Sequence, residues 1–193
     1  MEDISLIWLG LFLFFLILFS AFFSGSEIGM MSLNRYRLRH LVSKKSPKAM
    51  QVKRLLKRPD RLLGVILIGN NFANILSSAI ATVLAVRFMG NFGVVVSTVS
   101  LTLIILIFAE IAPITVAALH PMRVAFFAAR PLTLLQKFLY PFVIFANSAA
   151  GGFLRIFGIK VEPNEDIKLN RDELRTMVSE AGTLIPSDHK KML

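Results

Sequence analysis

The 193 residues carry 55% hydrophobic side chains, a formal net charge of +10 and no cysteine. Disulfides, thiol catalysis and thiolate metal sites are thereby excluded, and so much apolar surface exceeds what a soluble domain of this length buries. A closed barrel is excluded too, because it needs alternating strands of roughly ten residues and the apolar runs here do not alternate.

The first element is an uncharged run from Ile4 to Phe23 that leads into Ser24, Gly25, Ser26 and Glu27. A helical span needs about 20 apolar residues, so residues 4–27 read as span one. Its start carries Glu2 and Asp3 instead of basic residues, and its apolar run is too long for a signal-peptide core. An acidic start and a basic exit orient it with the N-terminus outside.

Between Met31 and Arg61 stand eleven Lys and Arg residues (Arg35, Arg37, Arg39, Lys44, Lys45, Lys48, Lys53, Arg54, Lys57, Arg58, Arg61) against one acid, Asp60. This segment sums to +10, and the remaining eleven basic and eleven acidic residues cancel. So dense a basic block can signal nucleic acid. Placed between two apolar spans, it reads instead as a cytoplasmic loop obeying the positive-inside rule, drawn to anionic headgroups. Leu33, Leu38, Leu41, Val42, Val52, Leu55 and Leu56 are scattered among the charges, and Ser46-Pro47 divides them. Two amphipathic helices lying on the inner membrane face, within residues 31–60, suit the pattern.

Span two covers residues 62–87, the loop Phe88-Met89-Gly90-Asn91 is a tight turn, and span three covers residues 92–119. Residues 124–158 are apolar but interrupted by Arg130-Pro131, Gln136-Lys137 and Tyr140-Pro141. This favours juxtamembrane helices or a shallow hairpin over a fourth crossing. The expected fold is therefore all-α and integral to the membrane, with three spans over residues 1–160. Residues 161–193 have soluble composition, and Asn170 with Glu173 forms a capping box that opens a cytosolic helix. The chain stops at Lys191-Met192-Leu193 with no domain completed, which reads as a truncation.

Three polar groups interrupt the apolar spans: Ser20 with Ser24-Gly25-Ser26-Glu27; Asn70-Asn71 with Asn74, Ser77 and Ser78; and Glu110 with Pro113 and Thr115. Ser24 lies eleven residues before Arg35, Asn70 nine after Arg61, and Glu110 ten before His120. At the helical rise each sits roughly 13–17 Å from the inner boundary, so three spans place polar groups at one level. Asn70, Asn74 and Ser77 recur at i, i+4 and i+7 and share a face, as do Ser20, Ser24 and Glu27. Gly25 and Pro113 are expected to loosen their helices there and free backbone carbonyls. All the donors are oxygens, a set suited to Mg²⁺, Ca²⁺ or Na⁺ and not to zinc or copper. One or two carboxylates would leave a divalent ion partly uncompensated, consistent with release. The competing reading is interhelical glue, which Asn and Ser commonly provide in membranes. It fits Ser26, Ser77 and Ser78 well and an ionised Glu110 poorly.

Phe23-Ser24-Gly25-Ser26-Glu27, Leu33-Asn34-Arg35-Tyr36-Arg37-Leu38, Leu67-Ile68-Gly69-Asn70-Asn71-Phe72-Ala73-Asn74 and Ala109-Glu110-Ile111-Ala112-Pro113 together resemble the transmembrane domain of the CorB/CorC (HlyC/CorC) and cyclin M (CNNM) magnesium transporters. The match runs over about residues 4–160, and the tail from Asn170 resembles the acidic helix leading to that family's CBS-domain pair. The resemblance implies a multi-pass plasma-membrane homodimer with its C-terminus in the cytoplasm and an inward-opening Mg²⁺ cavity. It implies export, with Na⁺ as the proposed coupling ion, and ATP-Mg²⁺ bound only by the absent CBS pair. By position, Ser24, Asn70, Asn74 and Glu110 would line the ion site, with Ser20, Gly25, Ser26, Glu27 and Asn71 nearby. One departure is that the family usually has Glu-x-x-Pro-Lys-Thr, whereas Ile114 stands in the lysine position here. A different class of function, a membrane-anchored Mg²⁺ sensor that regulates another transporter, uses the same ligands. An enzyme is not indicated, because no nucleophile is matched to a base.

Overall fold

The computed structural model describes residues 2–157, and among them every regular element is helical. Helix α1 is Glu2–Met31, α2 Arg35–Ser43, α3 Pro47–Leu55, α4 Pro59–Met89, α5 Phe92–Ile104, α6 Ala112–Leu119 and α7 Pro121–Ile156. A π-helical segment, Ile105–Ile111, joins α5 to α6. Four helices, Leu6–Met31, Pro59–Met89, Phe92–Leu119 and Pro121–Ile156, are long and apolar enough to cross a membrane. The capping box at Asn170 and Glu173 lies outside the described residues.

Local chemistry sets these boundaries. Asn34 caps α2, its Oδ1 accepting the N–H groups of Tyr36 and Arg37 at 3.0 and 3.1 Å. Pro47 and Pro59 stand at the first positions of α3 and α4, where a missing N–H costs nothing. The reversal after α4 falls on Gly90, whose φ of +62° is open to glycine at no steric cost.

The chain divides into two compact units, Met1–Asn147 and Ser148–Leu193. In the first, α1 is the central element, packing against α4 on one side and against α6 and the π segment on the other. Phe23 of α1 is fully buried, and a Cβ added to Gly69 would lie 2.1 Å from its ring. Glycine at 69 thus makes room for the ring between α1 and α4. Gly25 plays a similar part toward α6, where an added Cβ would stand 3.4 Å from Pro113 Cβ and from its carbonyl oxygen.

The main apolar core lies where the end of α1 and the start of α4 meet α2, α3 and α7. It unites Phe23, Met30, Leu38, Val52, Leu55, Leu62 and Ile66 with Ala125, Ala128, Ala129 and Leu132 of α7. The two short helices expected within residues 31–60 are present as α2 and α3, with apolar residues in this core. Leu38, Val52, Leu55 and Leu56 are buried in protein, in one cluster with Ala125, Ala128 and Ala129 of α7. Leu41 and Val42 pack at the edge of the same cluster.

Residues 121–147 also depart from the hairpin reading. They form one helix through Pro131 and Pro141. Packing on both sides holds this helix in register. Val124 sits against Gly29, and Val143 against Gly64. The 19 residues between those two valines span about 28 Å of helix. Both glycines nevertheless belong to one end of the bundle, near the end of α1 and the start of α4.

Candidate ion site

The buried polar contact between α1 and α4 centres on Ser20. Its hydroxyl oxygen is 2.7 Å from Asn70 Oδ1 and 2.7 Å from Asn74 Oδ1, and the serine itself is wholly buried. Asn70 and Asn74 are one helical turn apart on α4 and face α1 together, as the i, i+4 spacing requires. A serine hydroxyl has one proton, so it donates to only one of two carbonyl oxygens. Turning one amide to present Nδ2 satisfies the second contact, and so does a cation facing all three oxygens. The donor set is therefore both a hydrogen-bonded link and a set of ligands for a hard cation.

Ser24, one turn further along α1, is buried as well (5%). Beside it Gly25 rests on Pro113. Helix α1 runs unbroken through Gly25, which corrects the expectation that this glycine loosens it. A glycine alone does not bend a helix whose other backbone bonds are kept. The irregularity lies on the other side of the contact, in the π segment that carries Glu110. The Ala112 N–H bonds to the carbonyl of Ile107, five residues back. Pro113 brings no N–H, so one carbonyl of the preceding turn goes without its donor. Ala109 is fully buried and Glu110 half-buried, so a carboxylate and an under-bonded carbonyl share this stretch.

Other sequence candidates turn elsewhere. Asn71 is exposed and donates to the carbonyl of Leu67 on its own helix at 2.9 Å. Ser26 is buried, but its hydroxyl donates to the carbonyl of Phe22 at 2.5 Å. Glu27 is exposed near the end of α1, and Thr115 donates to the carbonyl of Ile111 at 2.8 Å. Ser77 is buried with no hydrogen-bond partner for its hydroxyl. Ile114 is 37% exposed on α6, so a lysine there would not be buried inside the protein. The residue that sequence reading undervalued is Ser20. Its signal was the shared face with Ser24, four residues on.

Among the described residues no group of three His, Cys, Asp or Glu side chains could hold a metal, and the contact at Ser20 is made of hydroxyl and amide oxygens. Long apolar helices around an oxygen-lined contact define a helical membrane protein with a polar centre inside its bundle. The family described as the cyclin M transmembrane N-terminal domain matches residues 11–187, and the chain belongs to that family. A UPF0053 protein of Haemophilus influenzae is 43% identical over 194 residues, covering 100% of this chain and 46% of the relative. The UPF0053 inner membrane protein YfjD of Escherichia coli is 44% identical over 174 residues, covering 90% of this chain and 41% of the relative. A chloroplastic DUF21 domain-containing protein of Arabidopsis thaliana is 33% identical over 186 residues, covering 95% of this chain and 28% of the relative. The chain thus spans less than half the length of each of these three relatives.

Proposed function

We propose that the chain is the membrane domain of a Mg²⁺ transporter whose ion passes between α1, α4 and the π segment. The observation that carries this reading is the convergence of Ser20, Asn70 and Asn74 oxygens within 2.7 Å contacts in a buried setting. Membership of the cyclin M family supports magnesium as the ion. Ser24 adds a further neutral oxygen, and Glu110 supplies the one carboxylate. A single negative charge among neutral oxygens holds a divalent ion loosely enough to release it. Export, with Na⁺ entry as the energy source, is the direction the family resemblance implies, and so is a homodimer.

Three crossings, by α1, α4 and the α5–π–α6 helix, fit this reading best. Helix α7 meets both Gly29 and Gly64 at one end of the bundle, as a helix lying along the membrane face would. The basic residues on that side make it the cytoplasmic face.

The test is Mg²⁺ flux in proteoliposomes together with Mg²⁺-dependent thermal stabilisation. Glu110→Gln and Asn74→Ala should each abolish or severely reduce flux and weaken the stabilisation. Unchanged flux in Glu110→Gln would overturn the assignment. A wild-type protein that is stabilised by Mg²⁺ but moves none would point to a sensor instead.

A further inference from the structure

A cleft of about 600 Å³ opens between the α3–α4 junction and α7. Arg54, Lys57, Arg58 and Arg61 form one wall and Lys137 stands on the other, and no acidic side chain lines it. The positive-inside rule explains why these charges lie on one side of the membrane. It does not explain why five of them surround one hollow, since charges spread anywhere along the segment would satisfy it. Lys137 comes from a distant part of the chain, at the end of a seven-residue spacing that also includes Arg123 and Arg130. Crowding like charges is unfavourable unless an anion sits among them.

The cleft also holds its donors in place. The Arg61 guanidinium lies over the Tyr140 ring, 4.8 Å from its centre, and Arg61 is half-buried. Stacking fixes the plane of the guanidinium while leaving its edge donors open for two-point contact with an anion. Thr133 Oγ is not such a donor, because its hydroxyl already bonds to the carbonyl of Ala129 at 2.6 Å. Five of the eight lining residues are cationic, with Gln136 and Tyr140 as neutral neighbours, a balance that favours a phosphate over an uncharged headgroup.

We propose that this cleft binds a phosphate-bearing anion, held by Arg58, Arg61 and Lys137. Its place at the end of the apolar helices makes an anionic lipid headgroup the natural source. This site is separate from the Ser20–Asn70–Asn74 centre, and its test does not require transport.

In one arm, purified protein in phosphatidylcholine nanodiscs receives increasing phosphatidylglycerol, and retained lipid is counted by native mass spectrometry. In the other, lipid-stripped protein in detergent is titrated with inorganic phosphate. Saturable binding is expected, and the arm in which it occurs identifies the source. The triple variant Arg58→Gln, Arg61→Gln, Lys137→Gln should lose at least about tenfold more affinity than Arg37→Gln, Lys44→Gln, Lys48→Gln, which removes equal charge outside the cleft. Arg61→Lys, which keeps the charge, should also weaken binding because it loses the planar fork. Equal losses from the two triple variants, or no saturable binding in either arm, would overturn the proposal. Melting curves for each variant confirm that it is folded.

Discussion

Gly69→Ala should loosen the bundle and disturb the polar centre in one step. A Cβ at that position would meet three carbons of the Phe23 ring at 2.1, 2.5 and 2.7 Å. The nearest must withdraw by about 1.4 Å to reach ordinary contact near 3.5 Å. The ring has little room to move. It is fully buried and wedged edge-on between Phe19 and Phe22, with centroids at 4.7 and 5.6 Å. The helices must therefore part. Phe23 is three residues from Ser20 and Gly69 is next to Asn70, so an added ångström between α1 and α4 would stretch both 2.7 Å contacts past hydrogen-bonding range. Overpacking costs about 1–3 kcal/mol, and each interhelical hydrogen bond lost in a membrane adds about 0.6 kcal/mol. A loss of about 2–4 kcal/mol is expected. Thermal unfolding in detergent measures it, and Mg²⁺-dependent stabilisation should fall in parallel. Adding Phe23→Leu should recover part of the loss, giving a coupling of about 1 kcal/mol or more. A melting midpoint equal to the parent's, or a double variant that merely sums the two singles, would refute the wedge.

Ser77→Ala should leave stability unchanged or raise it by up to about 1 kcal/mol, since it removes a buried hydroxyl that lacks a partner; a melting curve decides. Asn71→Ala should leave Mg²⁺-dependent stabilisation intact while Asn74→Ala weakens it, because the Asn71 amide turns back to Leu67 on its own helix; parallel Mg²⁺ titrations compare them. Asn34→Ala should cost about 1 kcal/mol through loss of the α2 cap, and the deficit should appear in the melting midpoint without a change in Mg²⁺ response.

Much of this arrangement is legible in the chain because bilayer thickness and charge leave few choices. Uncharged runs set the apolar helices, Ser46-Pro47 separates α2 from α3, and Gly90 marks the reversal. The i, i+4 spacing of Asn70 and Asn74 indicates a shared face. It does not show that Asn71, only about 100° further around the helix, turns away, because that depends on where α1 packs. The burial of Leu38, Val52 and Leu55 was hidden for the same reason. An amphipathic helix presents the same pattern to lipid as to protein, and the other members of the cluster lie elsewhere in the chain, on α1, α4 and α7. Pro131 and Pro141 misled in another way. A proline removes one hydrogen bond but need not end a helix held along its length by Gly29 and Gly64. The π turn before Pro113 had no sequence signal beyond the proline itself.

The reversal at Gly90 also decides which helices can slide. Helix α4 ends at Met89 and α5 begins at Phe92, and an added Cβ at Gly93 would press to 2.3 Å from the Ala85 carbonyl oxygen. So short and tight a link has no slack. A shift of α4 along its axis would carry the α5–π–α6 helix with it, and the two would travel as one piece. Helix α1 is linked to that piece along the chain by the short helices α2 and α3, and across the bundle by packing. At Gly25 it meets Pro113 over a bare backbone, whereas at Gly69 the buried Phe23 ring is seated against α4. Relative travel of α1 is thus easier past α6 than past α4, where the Phe23 ring and the Ser20 hydroxyl both engage.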